Sequence, residues 1–380
     1  MTKSTKAILW VVGVVVLVAV VTLGSARGTS NTGPIKIGLI APLSGDGASY
    51  GETDKNATEI AVNEINASGG INGRQLQMIY EDGKCSGKDA TTAMQKLVSI
   101  DKVDIVLGGT CSAETLAAAP IAEQSHVILL SAFSSNPQIS GFGNYVFRNS
   151  PSDSDVATLD ANYIASHYKS VALISENSDY AQGVSAVMKK VFSEKGIIVT
   201  NDEVYGGTNS NVTDFRSLIQ KIEAKHPEDI YVNPTSGKTA GLIVKQIRQV
   251  DTKTPIAGNF SLGTPDAYSV AGPDLNGVVV SDSSGLAQKG QALLAKYKQT
   301  YNADPANEYE MGADYDRVYI VAQAIKAVGG DADKIRDYLH DLPNYDGTIG
   351  SYHFASNGDV VGVGFINFVM KDGKETPITQ

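Results

Sequence analysis

The feature that most constrains this chain is a repeated alternation of short apolar runs with helix-length amphipathic stretches. From Ile35 onward the pattern predicts a strand at Ile35–Ile40, a helix carrying Ala57, Ile60, Ala61 and Ile65 on one face, and a stop at Gly69-Gly70. Strands at Gln75–Tyr80, Val103–Leu107 and Val127–Leu130 follow, with helices at Asp89–Ile100 and Thr115–Gln124 between them. Continuous apolar runs such as Val103–Leu107 suit parallel strands covered on both faces. After Pro151 the rhythm restarts, with helices at Asp153–His167, Tyr180–Glu194, Asp214–Ala224 and Thr239–Gln249. The strands between them are predicted at Val171–Ser175, Ile197–Val204, Ile230–Val232, Ile256–Ala257 and Gly277–Val280. Two successive α/β units are each too large to share one sheet, so the expectation is an α/β protein of two lobes. Helices at Gly290–Thr300, Tyr309–Val328 and Asp331–His340 come next, and Asn357-Gly358 and Asp372-Gly373 mark hairpins in the tail.

Charge narrows the partners. The 380 residues carry 31 basic and 41 acidic side chains, a net charge of -10, which removes the attraction on which nucleic-acid binding rests. The N-terminus is separate: Lys3 and Lys6 precede an uncharged apolar run from Ala7 to Leu23. Such a segment directs export, either as a signal cleaved after Ala26 or as a retained membrane anchor, since its length fits both. Residues 1–26 are therefore read as signal peptide or anchor and 27–34 as a linker. Loss of the two lysines takes the charge of the exported chain to -12.

Cys85 and Cys111 are the only cysteines, and an even count in an exported chain suggests a disulfide, two buried thiols being the other reading. Five histidines without ligand spacing give no metal site, and no cofactor is expected. Thr235-Ser236-Gly237-Lys238-Thr239 imitates the end of a phosphate-binding loop but lacks its first glycine, since Val232 stands there. Hydrolase, metalloprotease and dehydrogenase signatures are absent, so no enzyme is indicated. What stands out is hydroxyl and glycine residues at the carboxyl ends of three strands: Ser44-Gly45, Gly109-Thr110-Cys111-Ser112, and Ser131 to Asn136. Each alone is an ordinary helix cap; together, at the end of an α/β sheet where ligands bind, they suit a carboxylate.

In order along the chain, IKIGLIAPLSGDGASYG, EINASGGINGRQLQMIYEDGKC, VDIVLGGTCSAET, LLSAFSSNPQIS, SENSDYAQG and the late Tyr315-Asp316 form one set of motifs. This set resembles the type 1 periplasmic binding proteins, typified by the leucine/isoleucine/valine-binding protein of ABC importers, over roughly Ile35 to Gly373. The resemblance implies two Rossmann-like lobes joined by a three-strand hinge, a Venus-flytrap closing on its ligand. Lobe 1 is then expected at 35–151 plus 285–362 and lobe 2 at 152–284 plus 363–380. It also implies a disulfide between the positions of Cys85 and Cys111. Carried over by position, Ser112 and Ser135 supply hydroxyls to a carboxylate with Phe133 beside them, Tyr50 lines the first-lobe wall, and Tyr180 closes from the second lobe. The loop Thr235-Ser236 falls near a further second-lobe contact, where the family's tyrosine is missing.

The chain departs from the family at the ligand's ammonium. Amino-acid binders carry an acid in the loop matching Asn259-Phe260-Ser261, and here Phe260 occupies that place. A buried ammonium without counter-charge is costly, so either another carboxylate serves, Glu310 being the candidate, or the ligand has none. Phe260 itself suggests an apolar or aromatic wall. The expectation is an extracytoplasmic, monomeric solute-binding protein that captures an amino acid or small organic acid for the membrane subunits of an ABC permease. A membrane-anchored sensor built on the same domain is the alternative.

Overall fold

The computed structural model describes residues 33–207, 210–283 and 285–378; the export segment, and with it the choice between signal and anchor, lies outside the described residues. Among the described residues no helix is long and apolar enough to cross a membrane.

The first sheet contains β1 (Ile35–Ala41), β2 (Leu76–Asp82), β3 (Ile105–Gly108), β4 (Ile128–Ser131) and β5 (Val146–Arg148), in the order β2-β1-β3-β4-β5, all parallel. β3 and β4 are buried at every position, as expected for strands covered on both faces. On one face Ile37, Leu107 and Leu130 pack against α1 (Ala48–Ala67) and the late helix α10 (Glu308–Val328), through side chains such as Ile65 and Ile325. On the other, Ile40, Val106 and Leu129 meet Met94 of α2 (Gly87–Lys96) and Ala118 of α3 (Ser112–Ser125). The predicted helix at Asp89–Ile100 is α-helical only to Lys96 and ends in a wider π turn, Leu97–Asp101.

The second sheet contains β6 (Ser170–Glu176), β7 (Ile198–Tyr205), β8 (Asp229–Asn233), β9 (Ile256–Gly258) and β10 (Val279–Ser283), all parallel, and β14 (Phe365–Lys371) and β15 (Lys374–Pro377), which add antiparallel at the β10 edge. Helices α4 (Asp153–His167) and α5 (Asp179–Lys195) cover one face through Ile164, Met188 and Phe192. α6 (Arg216–Glu223), α7 (Gly237–Val250) and the short α8 (Pro265–Ala271) cover the other through Ile219, Ile243 and Ile247. Two hairpins form at the predicted Asn-Gly and Asp-Gly pairs. One lies between β12 (Ser351–Phe354) and β13 (Val360–Val361) of a small sheet that also holds β11 (Tyr345–Asp346), and the other lies between β14 and β15.

The chain passes between the two sheets three times: after β5, between β10 and α9 (Gln288–Tyr301), which returns to α1 and α10, and between β13 and β14. α11 (Ala332–His340) completes the first side by packing Ile335 and Leu339 into its core.

Several carboxyls are buried in this frame. Tyr231 on β8 donates to Asp160 of α4 at 2.6 Å, and burial still raises Asp160 to about 7. Burial likewise lifts Asp153 to about 7 and Asp316 to about 6, each against hydrogen bonds that pull down. Their unfolded values lie near ~4, so between there and about 7 the folded chain binds more protons than the unfolded one. This contribution is therefore fully favourable below about pH 4 and is lost as pH rises toward 7. Calorimetry should show Tm falling between pH 5 and 8, with a smaller fall in Asp160→Asn, which keeps an acceptor for Tyr231; an unchanged slope would refute the assignment.

Candidate ligand-binding cleft

The loop after β3 is built by a close approach. Gly108 has φ +118°, and a Cβ there would lie 2.1 Å from the Ile40 carbonyl oxygen, so only glycine is accommodated. The Gly109 carbonyl then accepts from Thr115 Oγ1 at 3.0 Å, Ser131 Oγ at 2.7 Å and Ser134 Oγ at 2.8 Å. These bonds tie the ends of β3 and β4 to the first turn of α3. Cys85 and Cys111 form a disulfide with Cα atoms 5.1 Å apart, and beneath it Glu114 accepts the backbone amides of Cys85 and Cys111, both at 3.0 Å. Burial lifts Glu114 to about 7, while the amides it accepts act downward.

Ser112 opens α3 at this corner, and its hydroxyl accepts the Asn136 amide at 3.3 Å. Ser112, Phe133 and Ser135 line a pocket with Tyr50 from the first sheet's side, and Tyr180 and Phe260 line it from the second. The sequence-predicted residues thus meet at the carboxyl ends of both sheets, with two exceptions. Ser236 lines a neighbouring pocket and caps α7, accepting the Thr239 amide. Glu310 does not line the pocket: it is fully buried at the start of α10, and neither carboxyl oxygen has a hydrogen-bond partner. Burial, then Asp314 and Asp54, push Glu310 well above the usual carboxylate range, which disfavours it as a ready counter-charge.

Phe260 is the hub of the pocket. Its ring centroid lies 4.9 Å from Phe133, 5.7 Å from Tyr180 and 6.2 Å from Tyr50, each in an edge-to-face arrangement. The space left beside the rings is about 30 Å³, room for about two water-sized groups, so a larger solute enters by parting them. The Tyr50 hydroxyl is buried without a partner, and burial, then Glu310, raise its pKa well above the ordinary value.

Thr235, of the loop expected near a second-lobe contact, lines this pocket, and so does Asp179, which the sequence reading missed. Asp179 lies in the first turn of α5, and its only advance signal was its place before Tyr180 in SENSDYAQG. Thr110, from the strand-end loop singled out in the sequence, also lines the pocket; it donates to Asp54 at 2.8 Å and so links the pocket to a buried cluster in which Arg317 pairs with Asp54 and, at 3.1 Å, with Asp314.

Two sheets with a lined pocket between their carboxyl ends define a two-lobed, cleft-binding receptor. The sequence profile described as periplasmic binding protein matches residues 34–368, and the chain belongs to that family. It is 27% identical over 351 residues, 90% of this chain and 92% of the relative, to a leucine-, isoleucine-, valine-, threonine- and alanine-binding protein of Pseudomonas aeruginosa. Among solved structures it resembles the substrate-binding protein of a branched-chain amino acid transporter from Streptococcus pneumoniae, in complex with isoleucine. That match has a TM-score of 0.80 and 28% identity, and covers 90% of this chain and 97% of that one. A solute-binding protein of an ABC transporter from R. palustris, in complex with benzoate, shares the fold with a TM-score of 0.81 at 20% identity, covering 91% and 96%. Members of the family are solute-binding proteins rather than enzymes, and the family implies an extracytoplasmic location.

Across the cleft Asn136 Nδ2 donates to the Asp179 carbonyl at 2.6 Å. Gly183 makes that approach possible, because a Cβ there would lie 2.8 Å from Asn136 Nδ2. Gly183→Leu should hold the two sides apart, raising the radius of gyration in small-angle scattering while leaving circular dichroism unchanged; an unaltered radius would show that the contact does not limit approach.

Proposed function

We propose that this protein is the extracytoplasmic receptor of an ABC importer, capturing a small carboxylate-bearing solute between its lobes and delivering it to the membrane permease. Lobe 1 comprises 35–151 plus 285–362 and lobe 2 comprises 152–284 plus 363–380. The observation that carries the reading is the pocket's asymmetry. Ser112, Ser135 and the amino end of α3 offer hydroxyl and amide donors on one side, and the rings of Tyr50, Phe133, Tyr180 and Phe260 wall the other. Donors at a helix N-terminus suit an anion, and rings suit an aliphatic or aromatic body.

The names of the relatives, which are binding proteins for branched-chain amino acids, support this class of solute. Phe260 in the pocket widens it to organic acids without an ammonium, and an aromatic acid such as benzoate is a suitable probe. Ligand binding draws the lobes together in proportion to its greater affinity for the closed form.

Thermal shift with isoleucine, leucine, valine, pentanoate and benzoate tests the proposal. A ligand at a hundred times its Kd adds about 2.7 kcal/mol and raises Tm by several degrees. Ser112→Ala combined with Ser135→Ala should weaken binding of the responding ligand by about 10- to 100-fold, as hydrogen bonds to a charged group require, with the circular dichroism of the free protein unchanged. Failure of the whole panel, or unaltered affinity in the double variant, would discard the site.

A further inference from the structure

Helix α9 packs on α1 and α10, and between these helices and the turn after β11 lies a cavity of about 410 Å³ that shares no residue with the ring-walled pocket. Glu64 of this cavity and Tyr50 of the ring-walled pocket stand on the same helix, about 21 Å apart along its axis at 1.5 Å per residue. The volume is that of a small-molecule site. Three tyrosines line it: Tyr315 and Tyr319 of α10, and Tyr345 of β11. Tyr315 belongs to the late Tyr315-Asp316 pair of the sequence, which the cleft does not use.

The walls are held firmly. The rings of Tyr315 and Tyr319 lie with centroids 4.9 Å apart, and both hydroxyls donate to Glu64 Oε2, at 2.5 and 2.7 Å. Lys296 of α9 pairs with the other oxygen of Glu64. Burial pushes Glu64 up, but the bonds from Lys296, Tyr315 and Tyr319 outweigh it and hold the carboxyl below the usual range. Tyr345 rests edge-to-face on Tyr352 at 5.6 Å, and Asp316 fixes the turn by accepting the Thr348 amide at 2.9 Å and the Tyr352 hydroxyl at 3.2 Å. Gly347 closes this floor, since a Cβ there would lie 2.2 Å from Asp316 Oδ2.

We propose that this cavity is a second binding site, remote from the cleft, and that it takes a neutral saccharide ring. The charges argue against an ionic ligand. Each lysine of the cavity already has a carboxylate, Lys296 with Glu64 and Lys289 with Asp346 at 3.0 Å, so an anion or a cation breaks an existing pair in order to be held. The hydroxyls of Tyr315 and Tyr319 are spent on Glu64, which leaves mainly ring carbon for a ligand. A pyranose has a face of C–H groups and a rim of hydroxyls that both donate and accept. Aromatic rings suit the face. The ammonium and carboxylate groups around them supply donors and acceptors for the rim. A flat aromatic solute would use the rings and leave the rim groups unmatched. Free sugars and the glycans of a cell envelope present the same ring outside the membrane. The site does not depend on the receptor reading, and either can fail alone.

Saturation-transfer NMR on the exported chain tests the proposal with glucose, galactose, N-acetylglucosamine and the linear tetramer of N-acetylglucosamine, with benzoate and butylammonium as charged controls. At least one saccharide should bind; tighter binding of the tetramer than of the monomer identifies an envelope glycan, and equal binding a free sugar. Ala292 lines the cavity from an exposed position on α9, so Ala292→Phe fills the space without entering the core and should abolish the saccharide signal with circular dichroism unchanged. Tyr345→Ala, which removes one ring, should weaken binding by about tenfold or more. The Ser112→Ala, Ser135→Ala double variant should bind the saccharide as before. Three results overturn the inference: no response from any saccharide, a response that survives in Ala292→Phe, or a charged control whose binding is the one lost in that variant.

Discussion

The site depends on one acceptor, the carbonyl oxygen of Gly109. Three hydroxyls converge on it, from Thr115, Ser131 and Ser134, and all three residues are fully buried. Hydrogen bonds in so dry a place are strengthened by the low local dielectric, and losing a partner there leaves an expensive orphan. The consequence is geometric: β3, β4 and α3 cannot move independently, so Ser112 and Ser135, one from each loop, face the pocket in a fixed relation. The disulfide and Glu114 brace the same corner from the loop between β2 and α2.

An acidic protein proposed to bind an anion poses an electrostatic question, and the buried carboxyls answer part of it. Glu114, Asp153 and Asp160 are lifted to about 7, Glu310 is pushed up by burial and then by Asp314, and Asp314 by burial and then by Asp54. A carboxyl buried without enough donors neutralises itself instead of remaining charged. The interior beneath the pocket is thus less negative than the formal charge of -10 implies. The donors at the amino end of α3 are then the groups that would face a carboxylate in the proposed site.

The architecture was legible because parallel strands and their helices obey periodicities of two and 3.6, and the helix predicted at Asp153–His167 has those bounds. Short elements without such a period were not: β5 has three residues, and α8 has seven behind a Thr-Pro start. The same division runs through the site. Tyr50, Ser112, Phe133, Ser135, Tyr180 and Phe260 stand at strand-to-helix junctions, where motif position carries spatial information, and they line one pocket. Glu310 misled because a charge at a helix start reads alike whether it faces solvent or core; the fold buries it beneath the pocket instead of in its wall.

The aromatic hub decides which part of a ligand is selected. Phe260 touches Tyr180 on its own side and Tyr50 and Phe133 on the other, so the lobes already bury apolar surface against each other through these rings. An apolar ligand body entering between them exchanges ring–ring contact for ring–ligand contact, a swap of similar surfaces with a small net gain. Discrimination among solutes of similar bulk then falls to the polar ends, where an unmatched group is left desolvated and unpaired. In the proposed site the hydroxyl corner at Ser112 and Ser135 is what would select the carboxylate end.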